Sequence, residues 1–224
     1  MIGVMDSGIG GTLIAEEVRK LLPGVEVCYF RDSDHFPYGD RPAEEVVRII
    51  DENSGALVER GAKVIVLACN SASVVSLAYL RSKYQVPFVG VVPAVKPAAG
   101  MTKTKQIAVF GTALTSASAA LAELIEKFCQ GVTVHRVALE HLAEAIECGD
   151  LGRARAIVAE KWREYRDLGI DVVVLGCTHY PLIRREIEEI VGPEVRVIDS
   201  NEAVARQVKR VWDRLVEERG DGTG

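Results

Sequence analysis

Two apolar runs that end alike constrain this chain more than anything else in it: Val64-Ile-Val-Leu-Ala-Cys69-Asn70-Ser71 and, much later, Val172-Val-Val-Leu-Gly-Cys177-Thr178-His179. Each has strand length and stops at a cysteine followed by small hydrogen-bonding residues. A parallel strand covered on both faces reads this way, because polar alternation disappears once neither face meets water. Ligands of open α/β sheets collect at the carboxyl ends of such strands, which puts both thiols where chemistry is usually done.

The pattern around these runs also occurs twice. Ile2-Gly-Val-Met-Asp6-Ser7 has its counterpart in Ile107-Ala-Val-Phe-Gly111-Thr112, 105 positions on, and Cys177 follows Cys69 by 108 positions. Nearly equal intervals between two pairs of landmarks point to a duplication. The expected fold is therefore α/β, with two pseudo-symmetric doubly wound domains, mostly parallel sheets and an interdomain cleft. Residues 1–94 form the first half, 95–199 the second, and the helix after Ser200 returns to the first.

Between the landmarks, periodicity and turn residues place the remaining elements. Thr12 is positioned to cap a helix with Ile14, Val18, Leu21 and Leu22 on one face, and Val25 to Phe30 alternates as a strand. The turn-rich loop Arg31 to Pro42 is long for a connector, a property more common in functional loops, and its Tyr38-Gly39 pair offers a hydroxyl and an amide. Helices are expected from about Pro42, from Ser73 to Tyr84, from Thr115 to Cys129 and along Leu151, Ala154, Val158, Trp162 and Tyr165. Strands are expected at Val132–Val137 and Val195–Ile198, and Pro93 to Gly100 reads as the crossing between halves. Ser200 is placed to cap the last helix, with Val204, Val208, Val211, Trp212 and Leu215 on one face, and Gly220 to Gly224 is expected to fray.

Composition excludes several functions. With 224 residues, 48% hydrophobic, the chain can bury one large core or two modest ones. A net charge of -5 and a pI of about 5.5 give no basic footprint for nucleic acid. No apolar run approaches the roughly 20 residues that span a bilayer, so no membrane association is expected and the chain reads as cytoplasmic. Its five cysteines are expected to be thiols, with Cys28, Cys129 and Cys148 in apolar or helical surroundings.

The Gly8-Ile9-Gly10-Gly11 turn invites a dinucleotide reading, but Leu13 stands where the G-x-G-x-x-G pattern needs its third glycine. The glycines more simply allow close backbone approach and free amides at a helix start, which suits a carboxylate as well as a phosphate. Zinc ligands are spaced more closely than Cys69 and Cys177, and a redox pair would be C-x-x-C.

Two thiols facing one small ligand from opposite sides suit inversion of a carbon stereocentre, with a proton taken from one face and another returned to the other. A free cysteine has a pKa of about 8.5, so each needs a helper to react near neutrality. Asp6, at the end of the neighbouring strand, can serve Cys69. His179 and Glu140 can serve Cys177.

Read together, the motifs resemble the glutamate racemases of the cofactor-independent aspartate/glutamate racemase superfamily. Asp6-Ser7-Gly-Ile-Gly-Gly11 is similar to the family's D-S-G-x-G-G, Phe36-Pro37-Tyr38-Gly39 to F-P-Y-G, and Ala68-Cys69-Asn70-Ser71-Ala72-Ser73 to A-C-N-T-A-S. Gly111-Thr112-Ala-Leu-Thr115 resembles G-T-x-x-T, and Gly176 to Pro181 resembles G-C-T-H-Y-P. The resemblance implies Cys69 and Cys177 as the acid/base pair, assisted by Asp6 and His179, with Glu140 as the matching glutamate. Ser7, Pro37, Tyr38, Gly39, Asn70, Ser71, Thr112, Thr115 and Thr178 would bind the amino-acid substrate. It further implies no cofactor and no metal, a homodimer, and D-glutamate supplied to peptidoglycan. Ser71 departs from the family's usual threonine but keeps the hydroxyl. Rival readings are an aspartate racemase or related isomerase, and a binding protein that keeps the cleft without turnover.

Overall fold

The computed structural model describes residues 1–220. Both strand-cysteine runs are central strands of four-stranded parallel sheets. The first sheet contains β1 (Ile2–Asp6), β2 (Val27–Arg31), β3 (Val64–Leu67) and β4 (Phe88–Gly90), in the order β2-β1-β3-β4. The second contains β5 (Gln106–Gly111), β6 (Thr133–Ala138), β7 (Val172–Gly176) and β8 (Arg196–Ile198), in the equivalent order β6-β5-β7-β8. The α/β class and the repeated sheet topology are those the sequence implies.

Successive side chains on a strand face opposite ways, and every central strand divides its residues between two cores accordingly. In the first half Ile2, Val4, Val64 and Val66 pack against α1 (Thr12–Leu21) and α10 (Asn201–Gly220), through Ile14, Val18, Val204, Ala205 and Val208. On the other face Met5, Ile65 and Leu67 meet α2 (Ala43–Glu59) and α3 (Asn70–Lys83). In the second half Ile107, Val109, Val172 and Val174 face α4 (Val95–Met101) and α6 (Ala119–Phe128). Ala108, Phe110, Val173 and Leu175 face α7 (Leu142–Glu147), α8 (Leu151–Trp162) and α9 (Arg184–Val191). Each such Val, Leu or Ile removed from water contributes about 1.5–3 kcal/mol, which fixes the register of all four central strands. Cys69 and Cys177 belong to equivalent faces, one beside Ile65 and Leu67, the other beside Val173 and Leu175.

Several local expectations are corrected. Thr12 does not cap α1 but begins it, its hydroxyl donating to the Ile9 carbonyl at 2.6 Å. Pro42 is the cap of α2 and Glu44 and Glu45 lie in its first turn, where the helix dipole favours them. Pro93 to Gly100 is not all crossing: α4 starts at Val95, and Pro97 is tolerated there because first-turn amides lack intrahelical acceptors. The helix expected over Thr115 to Cys129 is broken into α5 (Ala113–Ala117) and α6. Ser118 takes an extended backbone and accepts from the Leu121 amide at 3.2 Å, starting a new helix.

The helix α8 ends at Trp162 and leaves Leu151 48% exposed, although Tyr165 still packs on the same core. Ser200 turns its hydroxyl to the Val92 carbonyl at 2.7 Å, so the two chain crossings between halves are bonded to each other. The tail expected to fray lies, beyond Gly220, outside the described residues. All five cysteines are free thiols. Among the described residues no helix is long and apolar enough to cross a membrane.

Candidate active site

The strand order changes direction between β1 and β3 in one half and between β5 and β7 in the other, and Asp6, Cys69, Thr112 and Cys177 all stand at those two switch points. The halves meet there. Cys69 and Cys177 are each 7% exposed. Burial first, then the Asp6 carboxylate, pushes the Cys69 thiol well above its ordinary range, with Cys177 close enough to add to the rise and the Ala72 amide opposing it.

Asp6 is held from three directions. Its Oδ1 accepts from the Ser7 amide at 2.8 Å, and its Oδ2 accepts from the Gly11 amide at 2.6 Å and from the Thr178 hydroxyl of the other half at 3.1 Å. Burial raises its pKa, against the lowering influence of His179 and of the two amides. At the second thiol, His179 Nδ1 lies 4.0 Å from Cys177 Sγ, and Nε2 lies 2.6 Å from Glu147 Oε2. Burial alone would depress His179, but its bonds to Cys177 and Glu147 prevail and its pKa rises to about 10. One ring nitrogen thus faces the thiol and the other the carboxylate.

This geometry corrects one expectation. Glu140 is exposed on the turn after β6, where it lines an outer cavity of about 510 Å³ with Arg136, Glu160 and Lys161. The carboxylate that meets His179 is Glu147, seven residues later. Its pKa is lowered because the bonds from His179 and the Ile9 amide, with the nearby Arg31, outweigh burial. No motif marks Glu147, and α7, at six residues, is too short for helical periodicity to reveal.

The glycine-rich turn proves to be a seam between halves. A Cβ on Gly8 would come within 2.5 Å of both Glu147 Oε2 and His179 Nε2, and one on Gly10 within 2.6 Å of the Thr178 backbone. Close backbone approach, the simpler of the two sequence readings, is what those glycines provide. Gly39 is similarly pressed on Thr112, at 2.6 Å from a would-be Cβ to the threonine Cβ.

The expected substrate-binding residues divide into three groups. Ser71 of the first half meets Thr112 (2.9 Å) and Thr115 (3.4 Å) of the second in a buried hydroxyl cluster, and Asn70 Nδ2 is buried without a partner among the described residues. Ser7 and Thr178 are engaged with Asp6 through an amide and a hydroxyl. Tyr38, Gly39 and Pro37 belong to the loop that packs over the site, with the Phe36 ring centroid 5.4 Å from that of His179 and the planes inclined at 45°. The Tyr38 hydroxyl donates to Asp32 Oδ2 at 2.6 Å, so it braces the loop instead of presenting itself to the cleft. Asp32, which also takes His35 and Asn53, is a loop-organising residue the sequence reading missed.

A family model described as Asp/Glu/Hydantoin racemase matches residues 12–208. The chain belongs to that family. Membership makes it an isomerase of the racemase class. A glutamate racemase of Pseudomonas paraeruginosa is 41% identical over 213 residues, covering 94% of this chain and 80% of the relative. Among solved structures, a glutamate racemase isoform from Bacillus anthracis superposes with a TM-score of 0.85 at 32% identity, covering 96% of this chain and 82% of that one. The Escherichia coli glutamate racemase in complex with L-glutamate and the activator UDP-MurNAc-ala gives a TM-score of 0.85 at 34% identity, covering 93% and 80%.

Proposed function

We propose that this racemase interconverts L- and D-glutamate without a cofactor, using Cys69 and Cys177 as the two acid/base groups. One observation carries the reading: two strand-end thiols from equivalent positions of the two halves lie in one buried site, each with its own proton partner, Asp6 for Cys69 and His179 for Cys177. In one direction a thiolate removes the α-proton from one face of the substrate and the opposite thiol delivers its proton to the other face. The reverse direction exchanges the roles. The net change is inversion, with one proton taken up and one returned.

Asn70 Nδ2 and the Ser71, Thr112 and Thr115 hydroxyls supply the donors that two carboxylates require, and their burial makes each bond worth more than it would be in water. The side chains around the thiols are buried, so substrate enters when the halves separate and is desolvated when they close. The relatives' names favour glutamate. The motif resemblance, and not the relatives' names, is what supports the further reading of a cytoplasmic homodimer whose D-glutamate feeds peptidoglycan.

Incubating the protein with L-glutamate in deuterated water is the direct test. The α-proton signal should vanish while optical rotation decays to zero. Faster exchange of aspartate would transfer the substrate assignment to that acid, and binding of L-glutamate with no exchange would leave a binding protein.

A further inference from the structure

Arg31 ends β2, in register with Asp6 on β1, and no motif includes it. Its Nη2 donates to Glu147 Oε1 at 2.6 Å across the junction between halves. The other Glu147 oxygen, Oε2, receives the Ile9 amide at 2.9 Å and faces His179 Nε2 at 2.6 Å. Three groups from three segments thus fix one carboxylate, and two of the three belong to the opposite half. The Glu147 side chain is 9% exposed and the Arg31 side chain 45%, so the guanidinium covers the solvent side of an otherwise enclosed carboxylate. Among the described residues Arg31 is the one charged partner of Oε1.

We propose that Arg31 is a positioning residue for the racemisation: it holds Glu147 against His179, and so closes the two halves over the thiols with His179 correctly aimed at Cys177. The inference rests on the proposed role of His179 at the Cys177 face. Arg31 does not touch the reacting atoms; its influence passes through Glu147. Two other roles for an arginine near such a site are distinguishable from this one, namely direct attraction of a substrate carboxylate and a purely structural ion pair. A partly exposed pair contributes little to stability by itself, so a structural role predicts an almost silent substitution.

The test is a double-mutant cycle on kcat/KM for L-glutamate, using R31A, E147Q and R31A/E147Q. If Arg31 works through Glu147, R31A lowers kcat/KM about tenfold, R31K recovers part of the loss, and R31A adds little further loss in the E147Q background. Losses that multiply in the double variant identify a carboxylate attractor and overturn the inference, as does an R31A with wild-type kinetics.

The pH profile supplies a second readout. His179 is faced by Cys177, Glu147 and Asp6, with the Phe36 ring beside it. Loosening Glu147 weakens a bond that raises His179, so the basic limb of the R31A profile should move down in pH. Loss of the guanidinium charge alone would move it up, and that result also overturns positioning. Wild-type protein that fails to exchange the α-proton at all would remove the proposed function instead, which keeps the two failures separate.

Discussion

The Cys69 and Cys177 ends of the site have the same backbone arrangement and differ in the polar groups beside the thiols. Both cysteines follow central parallel strands and face equivalent cores. Beside Cys69 stands a carboxylate gripped by the Ser7 and Gly11 amides. Beside Cys177 stands an imidazole gripped by Glu147. Equivalent strand ends thus present two matching thiols, with a carboxylate near one and an imidazole near the other. Under the proposed function each group would serve the thiol on its own face of the substrate, so the two ends can be tested separately.

The largest loss should follow from removing either thiol. Cys69→Ala or Cys177→Ala should each lower racemisation at least about 10³-fold, because either face without a thiol halts the proton relay. Retention of substantial turnover by either variant would show that the two ends do not act as a pair.

A smaller effect should separate the ends. Asp6→Asn and His179→Asn should each lose about 10²-fold in kcat, and their deuterium wash-in should favour opposite enantiomers. Enantiomers have equal free energy, so kcat/KM must stay equal in both directions; the asymmetry belongs in kcat, KM and isotope effects measured separately. Matching asymmetry in both variants would mean that the helpers are not divided between faces.

A further effect concerns stability. The folded pKa of His179, about 10, exceeds its ordinary 6.5. Its contribution is thus complete below about pH 6.5 and is lost as pH rises toward 10, since the folded state binds the proton more tightly than the unfolded one. Denaturation midpoints should fall across that window for wild type and fall less steeply for His179→Asn. Parallel curves would show that the imidazolium is not held by the fold.

The sequence by itself determined the strands, the parallel sheets, the repeated strand pattern and the position of both thiols. Those features are local: apolar runs of strand length, turn residues and an interval repeated within a few positions are visible in one dimension. It also placed Asp6 and His179 beside the two thiols, because each lies within a strand-end motif. Only the tertiary structure decided that Glu147 and not Glu140 meets His179, that Arg31 reaches that carboxylate, and that Tyr38 spends its hydroxyl on Asp32. It also showed why Gly8 and Gly10 are glycines: their missing side chains leave room for His179 and Thr178. The reason is the distance in sequence between partners, which is 138 positions from Ile9 to Glu147, 116 from Arg31 to Glu147 and 172 from Asp6 to Thr178. Hydrogen bonds and charge act over a few ångströms of space, and only the docking of one half on the other brings these groups within that range.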